Sequence, residues 1–371
     1  VERIQKDLIL KDLKKKMAFL TGPRQVGKTW LAQKIAGLFP KSIYLNYDSL
    51  EDRKIIQTES WLEDTSLLIL DEIHKMQGWK NYLKGVYDTK PDPMMILVTG
   101  SARLEAFRQG GDSLAGRYFN HRLLPFSPSE LGESPLGSDL ERFMNRGGFP
   151  EPFLAESDTE ADRWRMQYVD GLIRTDILDF EKIQDFKAIQ MVLELLRSRV
   201  GSPLSYKSIA EDVGISPNTA KKYIQIFESL YIIFRVSPFS HNIARSILKE
   251  PKIYFFDTGM VKGDEGVRFE NLVAVCLLKH VFALTDYSGK PYSLDYLRTK
   301  EGMEVDFCLT NGDIPERMVE VKRSDSVPSR SLLNFKNRYN IPGVQVVLHL
   351  KHEKTQKGIE VRRGLDYLKS L

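Results

Sequence analysis

The chain holds 371 residues, enough for two or three domains, and its 42% hydrophobic and 28% charged residues are the balance of an ordinary globular protein, which excludes disorder as the default state. The formal charge of +4 arises late: residues 267–371 carry 17 Lys/Arg against 13 Asp/Glu, whereas residues 1–266 are balanced at 37 and 37. That surplus suits a polyanionic partner and equally a solvated lysine-rich surface. No run reaches the ~18 apolar residues needed to span a bilayer, the early residues Glu2, Arg3, Lys6 and Asp7 leave no apolar signal core, and the two cysteines, Cys276 and Cys308, sit inside apolar runs as small buried hydrophobes. A cytoplasmic protein without disulfides or membrane contact is expected.

Residues 1–125 read as short apolar strands (Met17–Leu20, Ser42–Leu45, Leu67–Leu70, Met95–Thr99, Arg122–Leu124) separated by longer amphipathic stretches, the pattern of a parallel sheet covered on both faces. Directly after the first strand, Gly22-Pro23-Arg24-Gln25-Val26-Gly27-Lys28-Thr29 fits G-x-x-x-x-G-K-[ST] and opens a helix from Trp30 to Ala36. The glycines allow backbone N–H groups to converge on phosphate oxygens, and the helix N-terminus adds partial positive charge. The nucleotide-contacting set therefore runs from Gly22 through Trp30, with Lys28 expected on the β- and γ-phosphates of ATP and the Thr29 hydroxyl on Mg²⁺.

Leu67-Leu68-Ile69-Leu70-Asp71-Glu72 is a buried strand that delivers two carboxylates to the carboxyl edge of the sheet, where ligands bind in open α/β folds. Asp71 is expected to hold Mg²⁺ and Glu72 to polarise the attacking water, the step that separates a hydrolase from a passive binder. The next strand, Met95–Thr99, ends at Gly100-Ser101, which places the Ser101 hydroxyl in a sensor position. With a strand between the phosphate loop and the Asp-Glu pair and another after it, this order is similar to the AAA+ and related additional-strand ATPases. The resemblance implies that Arg117, in Ser113-Leu114-Ala115-Gly116-Arg117, contacts the γ-phosphate from a neighbouring subunit or domain; Arg103 competes for that role, and a structural salt bridge explains Arg117 equally. A homo-oligomer is implied only through Arg117.

From about residue 126, prolines and glycines break regularity before a helical stretch near 138–145 and the turn cluster Gly147-Gly148-Phe149-Pro150. Residues 158–200 read as helical throughout, with Ile173, Ile177, Ile189, Val192, Leu195 and Leu196 forming buried stripes. Ile209 to Thr219 then has the helix-turn-helix shape, Gly214 ending one helix and Ser216-Pro217 starting the next, and the β-prone run Tyr231–Val236 suggests a winged helix. Asn218, Thr219, Lys221 and Lys222 would face outward where a recognition helix meets DNA.

In the last third, Asp306 lies on a strand-like segment and Glu320-Val321-Lys322 on the next; alternation sends Glu320 and Lys322 to one face. This looks like the PD-(D/E)xK nuclease core, with Val305 where the signature has its proline. The resemblance implies that Asp306 and Glu320, with Glu270 from the preceding helix, hold a divalent metal while Lys322 steadies the attacking water. Charged residues alternating outward on strands account for the same pattern.

The order of parts, including Tyr254-Phe255-Phe256-Asp257-Thr258-Gly259, resembles the prokaryotic predicted AAA+ ATPases with an uncharacterised C-terminal domain. The expected architecture is α/β: a P-loop NTPase with an AAA+-like parallel sheet (1–130), a helical connecting region (131–200), a winged helix (201–260) and a restriction-endonuclease-like α/β domain (261–371). The expected activity is Mg²⁺-dependent ATP hydrolysis acting on DNA. An ATP-dependent switch that binds a protein partner, with an inactive nuclease-like domain, and an ATP-gated metal-dependent endonuclease are the alternatives.

Overall fold

Met17–Thr21 (β1) and Leu67–Asp71 (β3) are buried at every position, as strands must be when helices cover both faces of a sheet. A computed structural model describes residues 2–100, 114–173, 185–239, 250–299 and 301–371, in two compact units, Val1–Leu124 and Pro125–Leu371.

In the first unit β1 and β3 join β2 (Ser42–Asn46), β4 (Met95–Thr99) and β5 (Tyr118–Arg122) in a parallel sheet of order β2-β3-β4-β1-β5. β4, the strand expected after the Asp-Glu pair, lies between β1 and β3. Alternation sends Met17, Phe19, Leu68, Leu70, Ile96 and Val98 to one face, where they pack with Ile56 of the helix Leu50–Thr58 and with Trp79, Leu83 and Val86 of the helix Trp79–Thr89. The last strand corrects the sequence reading: it spans Tyr118–Arg122 rather than Arg122–Leu124. β5 is an edge strand of mixed polarity, so it presents no apolar run, and the apolar Leu123 and Leu124 are buried just beyond it.

The second unit begins with the short helix Pro128–Leu131, followed by the helices Leu140–Arg146, Pro150–Leu154, Asp158–Gly171 and Phe186–Arg197, of which the last buries Ile189, Val192 and Leu196. Ile177 lies outside the described residues. Tyr206–Val213 and Pro217–Ser229 form a helical pair joined at Gly214, with Ser216 capping the second helix through the Thr219 N–H. Strands β6 (Ile233–Pro238) and β7 (Lys252–Phe255), the helix Glu265–Ser288, and strands β8 (Tyr292–Arg298), β9 (Glu304–Asn311) and β10 (Ile314–Lys322) follow. The chain ends with the helix Arg330–Tyr339, β11 (Gly343–Val347), β12 (Lys354–Gln356), β13 (Ile359–Arg363) and the helix Gly364–Lys369.

Among the described residues, the strands of this unit form one eight-stranded sheet of order β12-β13-β11-β10-β9-β8-β6-β7. It crosses the boundary expected at 260/261, because Ser237 and Pro238 at the end of β6 pair in parallel with Asp295 and Tyr296 of β8. Both cysteines are buried and unpaired, and burial pushes each thiol up to about 12. No helix among the described residues is long and apolar enough to cross a membrane.

Candidate functional site

The phosphate loop leaves β1 at Gly22, whose φ of +145° is one that a side chain rarely adopts. A Cβ there would also lie 2.1 Å from the Leu123 carbonyl oxygen, so only glycine lets the loop pass this close to the end of β5. Lys28 opens the helix Lys28–Ala36, and its Nζ donates to the carbonyl oxygens of Gly22 (3.0 Å) and Pro23 (2.6 Å). Burial lowers its pKa to about 8, only partly offset by Glu72 and Asp71. Arg3, which the sequence reading counted only among the early charges, braces the loop by donating to the Val26 carbonyl (2.5 Å) and the Leu124 carbonyl (3.1 Å).

The carboxyl ends of β1, β3 and β4 bring the expected partners together. Thr29 Oγ1 lies 3.4 Å from Asp71 Oδ2. Two hydroxyls that the sequence reading did not single out complete the arrangement: Tyr44 of β2 donates to Asp71 Oδ2 and Thr99 of β4 to Asp71 Oδ1. Their signal was present, since both stand on sheet strands flanking β3, but only the register Asn46↔Asp71 and Asp71↔Thr99 brings them to this carboxylate. The hydroxyl and carboxylate oxygens are the hard donors that suit Mg²⁺, and among the described residues the buried ammonium of Lys28 hydrogen-bonds to neutral carbonyls, so the set fits a magnesium–nucleotide anion.

Glu72 adopts the left-handed conformation (φ 56°), which turns its side chain away from the strand direction, while its N–H donates to the Thr99 carbonyl (3.0 Å). Its Oε2 stands 3.5 Å from both Lys75 Nζ and His74 Nε2. Burial raises the pKa of this carboxyl, against the opposing pull of Lys75. Arg117 makes a two-pronged ion pair with Asp88, Nε to Oδ1 at 2.9 Å and Nη2 to Oδ2 at 3.0 Å. Ser101 and Arg103 lie outside the described residues.

In the second unit the residues read as nuclease-like also converge. Lys322 Nζ is 2.8 Å from Glu320 Oε1, as the alternation along β10 requires, and Asp306 Oδ2 accepts the Val321 N–H at 2.9 Å. Glu270 Oε1 accepts from the Tyr254 hydroxyl at 2.7 Å. Burial foremost, and then the Asp306 charge, push Glu270 up to about 8 and Glu320 up to about 7. The sequence reading missed a further member: Lys252 of β7, with its side chain 2% exposed, sits 2.6 Å from Glu304 Oε1 and 3.6 Å from Asp306 Oδ1. Burial works against its charge, yet Asp306, Glu270 and Glu304 outweigh burial and raise its pKa. Among the described residues no three Asp, Glu, His or Cys side chains stand together as a metal-holding group.

Residues 14–132, which hold the whole of this loop and strand-end constellation, match the family model described as an AAA domain. The N-terminal unit is an AAA-type ATPase-like domain. Beyond the AAA domain, residues 137–265 and 265–363 match two families described as domains of unknown function, DUF8612 and DUF4143. Among curated relatives, the uncharacterized protein Rv2008c of Mycobacterium tuberculosis is 24% identical over 322 residues, covering 85% of this chain and 72% of its own. The uncharacterized protein MJ1544 of Methanocaldococcus jannaschii is 24% identical over 342 residues, covering 81% and 76%. Among solved structures, a Walker-type ATPase of Pyrococcus abyssi aligns with a TM-score of 0.45 at 14% identity, covering 69% of this chain and 93% of its own. The RuvB Holliday junction branch migration motor of Thermotoga maritima aligns with a TM-score of 0.32 at 20% identity, covering 62% and 87%.

Proposed function

We propose that this chain is a Mg²⁺-dependent ATPase whose turnover acts on DNA through the residues after 205. The observation that carries the ATPase reading is the meeting of Thr29, Asp71 and Glu72 beside the buried Lys28 ammonium. Gly22 to Trp30 wrap the triphosphate, Lys28 gives up its loop carbonyls for phosphate oxygens, and Thr29 and Asp71 hold the metal. Bound Mg²⁺ neutralises charge on the phosphates. Glu72 orients the attacking water and takes its proton at a carboxylate oxygen, and Arg117, released from Asp88, reaches the nucleotide of a neighbouring copy.

The DNA reading is supported by the helical pair Tyr206–Val213 and Pro217–Ser229, where Asn218, Lys221 and Lys222 are exposed near the start of the second helix, and by the basic surplus of residues 267–371. ATP hydrolysis measured with and without double- and single-stranded DNA over a salt series tests it. A faster rate and salt-dependent binding are expected. An unchanged rate with no binding discards the DNA reading and leaves the second one, an ATP-driven switch whose nuclease-like domain binds protein and cuts nothing. The specific observation favouring that second reading is Lys252, lodged among the carboxylates.

A further inference from the structure

The carboxylates of the second unit fail a simple test as a metal site. Magnesium takes about six oxygen ligands in near-octahedral geometry, and manganese prefers the same hard donors. Here most of the oxygens are already engaged. Asp306 holds the Val321 N–H with one oxygen and faces Lys252 Nζ with the other. Glu320 Oε1 is paired with Lys322, and Glu270 Oε1 with the Tyr254 hydroxyl. That leaves the second oxygens of Glu320 and Glu270, of which Glu320 Oε2 is buried without a hydrogen bond of ordinary geometry. Two oxygens from separate carboxylates do not make a coordination shell of about six.

Lys252 explains how so many acids coexist in a dry place. Isolated carboxylates cannot be buried without a partner charge, and the usual partner in such a cluster is a cation held from outside. Lys252 enters instead from β7, the edge strand that pairs with β6 through Val236↔Lys252, and its ammonium reaches Glu304 and Asp306 while lying 5.4 Å over the ring of Tyr296. Glu304 and Asp306 share one face of β9, so a single ammonium bridges both.

We propose that the Lys252 ammonium is a built-in cation that takes the place of a divalent metal between Glu304 and Asp306, so that this domain binds neither Mg²⁺ nor Mn²⁺ there. The inference bears on the nuclease-like reading alone. It stands or falls independently of DNA-stimulated ATP hydrolysis.

The test is Mn²⁺ titration of the full chain without nucleotide, following free Mn²⁺ by electron paramagnetic resonance and thermal stability by circular dichroism. Wild type and Asp306→Asn are expected to bind the same amount of Mn²⁺ up to millimolar concentration, and wild type to gain no more thermal stability from it than Asp306→Asn does. Lys252→Met is expected to gain one site, with a rise in Tm on adding Mn²⁺, and to lose that site again in Lys252→Met/Asp306→Asn. A Lys252→Met chain that unfolds in chelator and regains its spectrum with Mn²⁺ supports the proposal equally. It is overturned if wild type binds an ion that Asp306→Asn loses, or if folded Lys252→Met gains none. Should Lys252→Met not fold under any condition, the comparison of wild type with Asp306→Asn alone decides.

Discussion

Arg165 Nε donates to Asp257 Oδ2 at 2.8 Å across 92 residues of sequence, with both side chains buried. Arg165 Nη2 also donates to the Asn145 carbonyl at 2.9 Å, and Asp257 Oδ1 accepts the Gly259 N–H at 3.1 Å. Gly147 has φ +69°, and a Cβ there would fall 1.7 Å from Asp257 Oδ1. The turn cluster Gly147–Pro150 and the run Tyr254–Gly259, two separate punctuation marks in the sequence, are thus two walls around one ion pair.

Removing one partner of a buried pair leaves the other charge without compensation, so Arg165→Met is expected to destabilise the chain by about 3–5 kcal/mol. Gly147→Ala should destabilise it as well, through both the left-handed backbone and the clash with Asp257. Urea denaturation of the full chain measures both, and a loss below about 1 kcal/mol for Arg165→Met would show the pair to be dispensable.

Glu72→Gln keeps the size of the side chain and removes the base. ATP hydrolysis should fall by ~10²–10⁴-fold while nucleotide binding persists. Because burial raises the Glu72 pKa, the wild-type rate should be lost as pH falls through a value above the usual carboxylate range, the direction expected when the working form is deprotonated. A rate for Glu72→Gln within a few-fold of wild type would remove Glu72 from the chemistry.

Tyr44 and Thr99 donate to Asp71, and on the proposed reading they are positioning residues for it. Tyr44→Phe and Thr99→Val should each raise the Mg²⁺ concentration for half-maximal hydrolysis, by about 10-fold or more, with a smaller change in ATP affinity measured without metal. Equal Mg²⁺ dependence in all three proteins would show that Asp71 does not need them.

Lys28 gives a pH-dependent signature in the nucleotide-free protein. Its folded pKa of about 8 lies below the ordinary lysine value of 10.5, so between these values the unfolded chain holds a proton that the folded chain has released, and stability rises with pH. That contribution is fully present above pH 10.5 and lost as pH falls through about 8. Lys28→Met should therefore gain most over wild type near neutral pH, with the difference shrinking toward pH 10, while ATP binding is lost throughout. Denaturation at pH 7 and pH 9.5 with and without ATP reads both effects.

Much of the candidate nucleotide site is legible because its parts are local. A glycine-rich turn between an apolar strand and a helix specifies its own backbone, and an acid pair at a strand end is placed by the strand. The same holds for Glu320 and Lys322, since a period of two residues settles which face they share. β5 was misread for the complementary reason: an edge strand half exposed to water has no apolar run to announce it.

Sequence by itself determined the phosphate loop, the Asp71-Glu72 pair, the parallel α/β sheet and the convergence of acid and amine on β10. Tertiary structure alone decided that Tyr44 and Thr99 grip Asp71, that Arg165 meets Asp257, that the strands of residues 233–255 belong to the same sheet as those after 292, and that Lys252 stands among Glu304 and Asp306. The first set follows from covalent spacing and local periodicity. The second depends on strand order and register, which place side chains tens or hundreds of residues apart within hydrogen-bonding distance and leave no mark on the spacing of either partner.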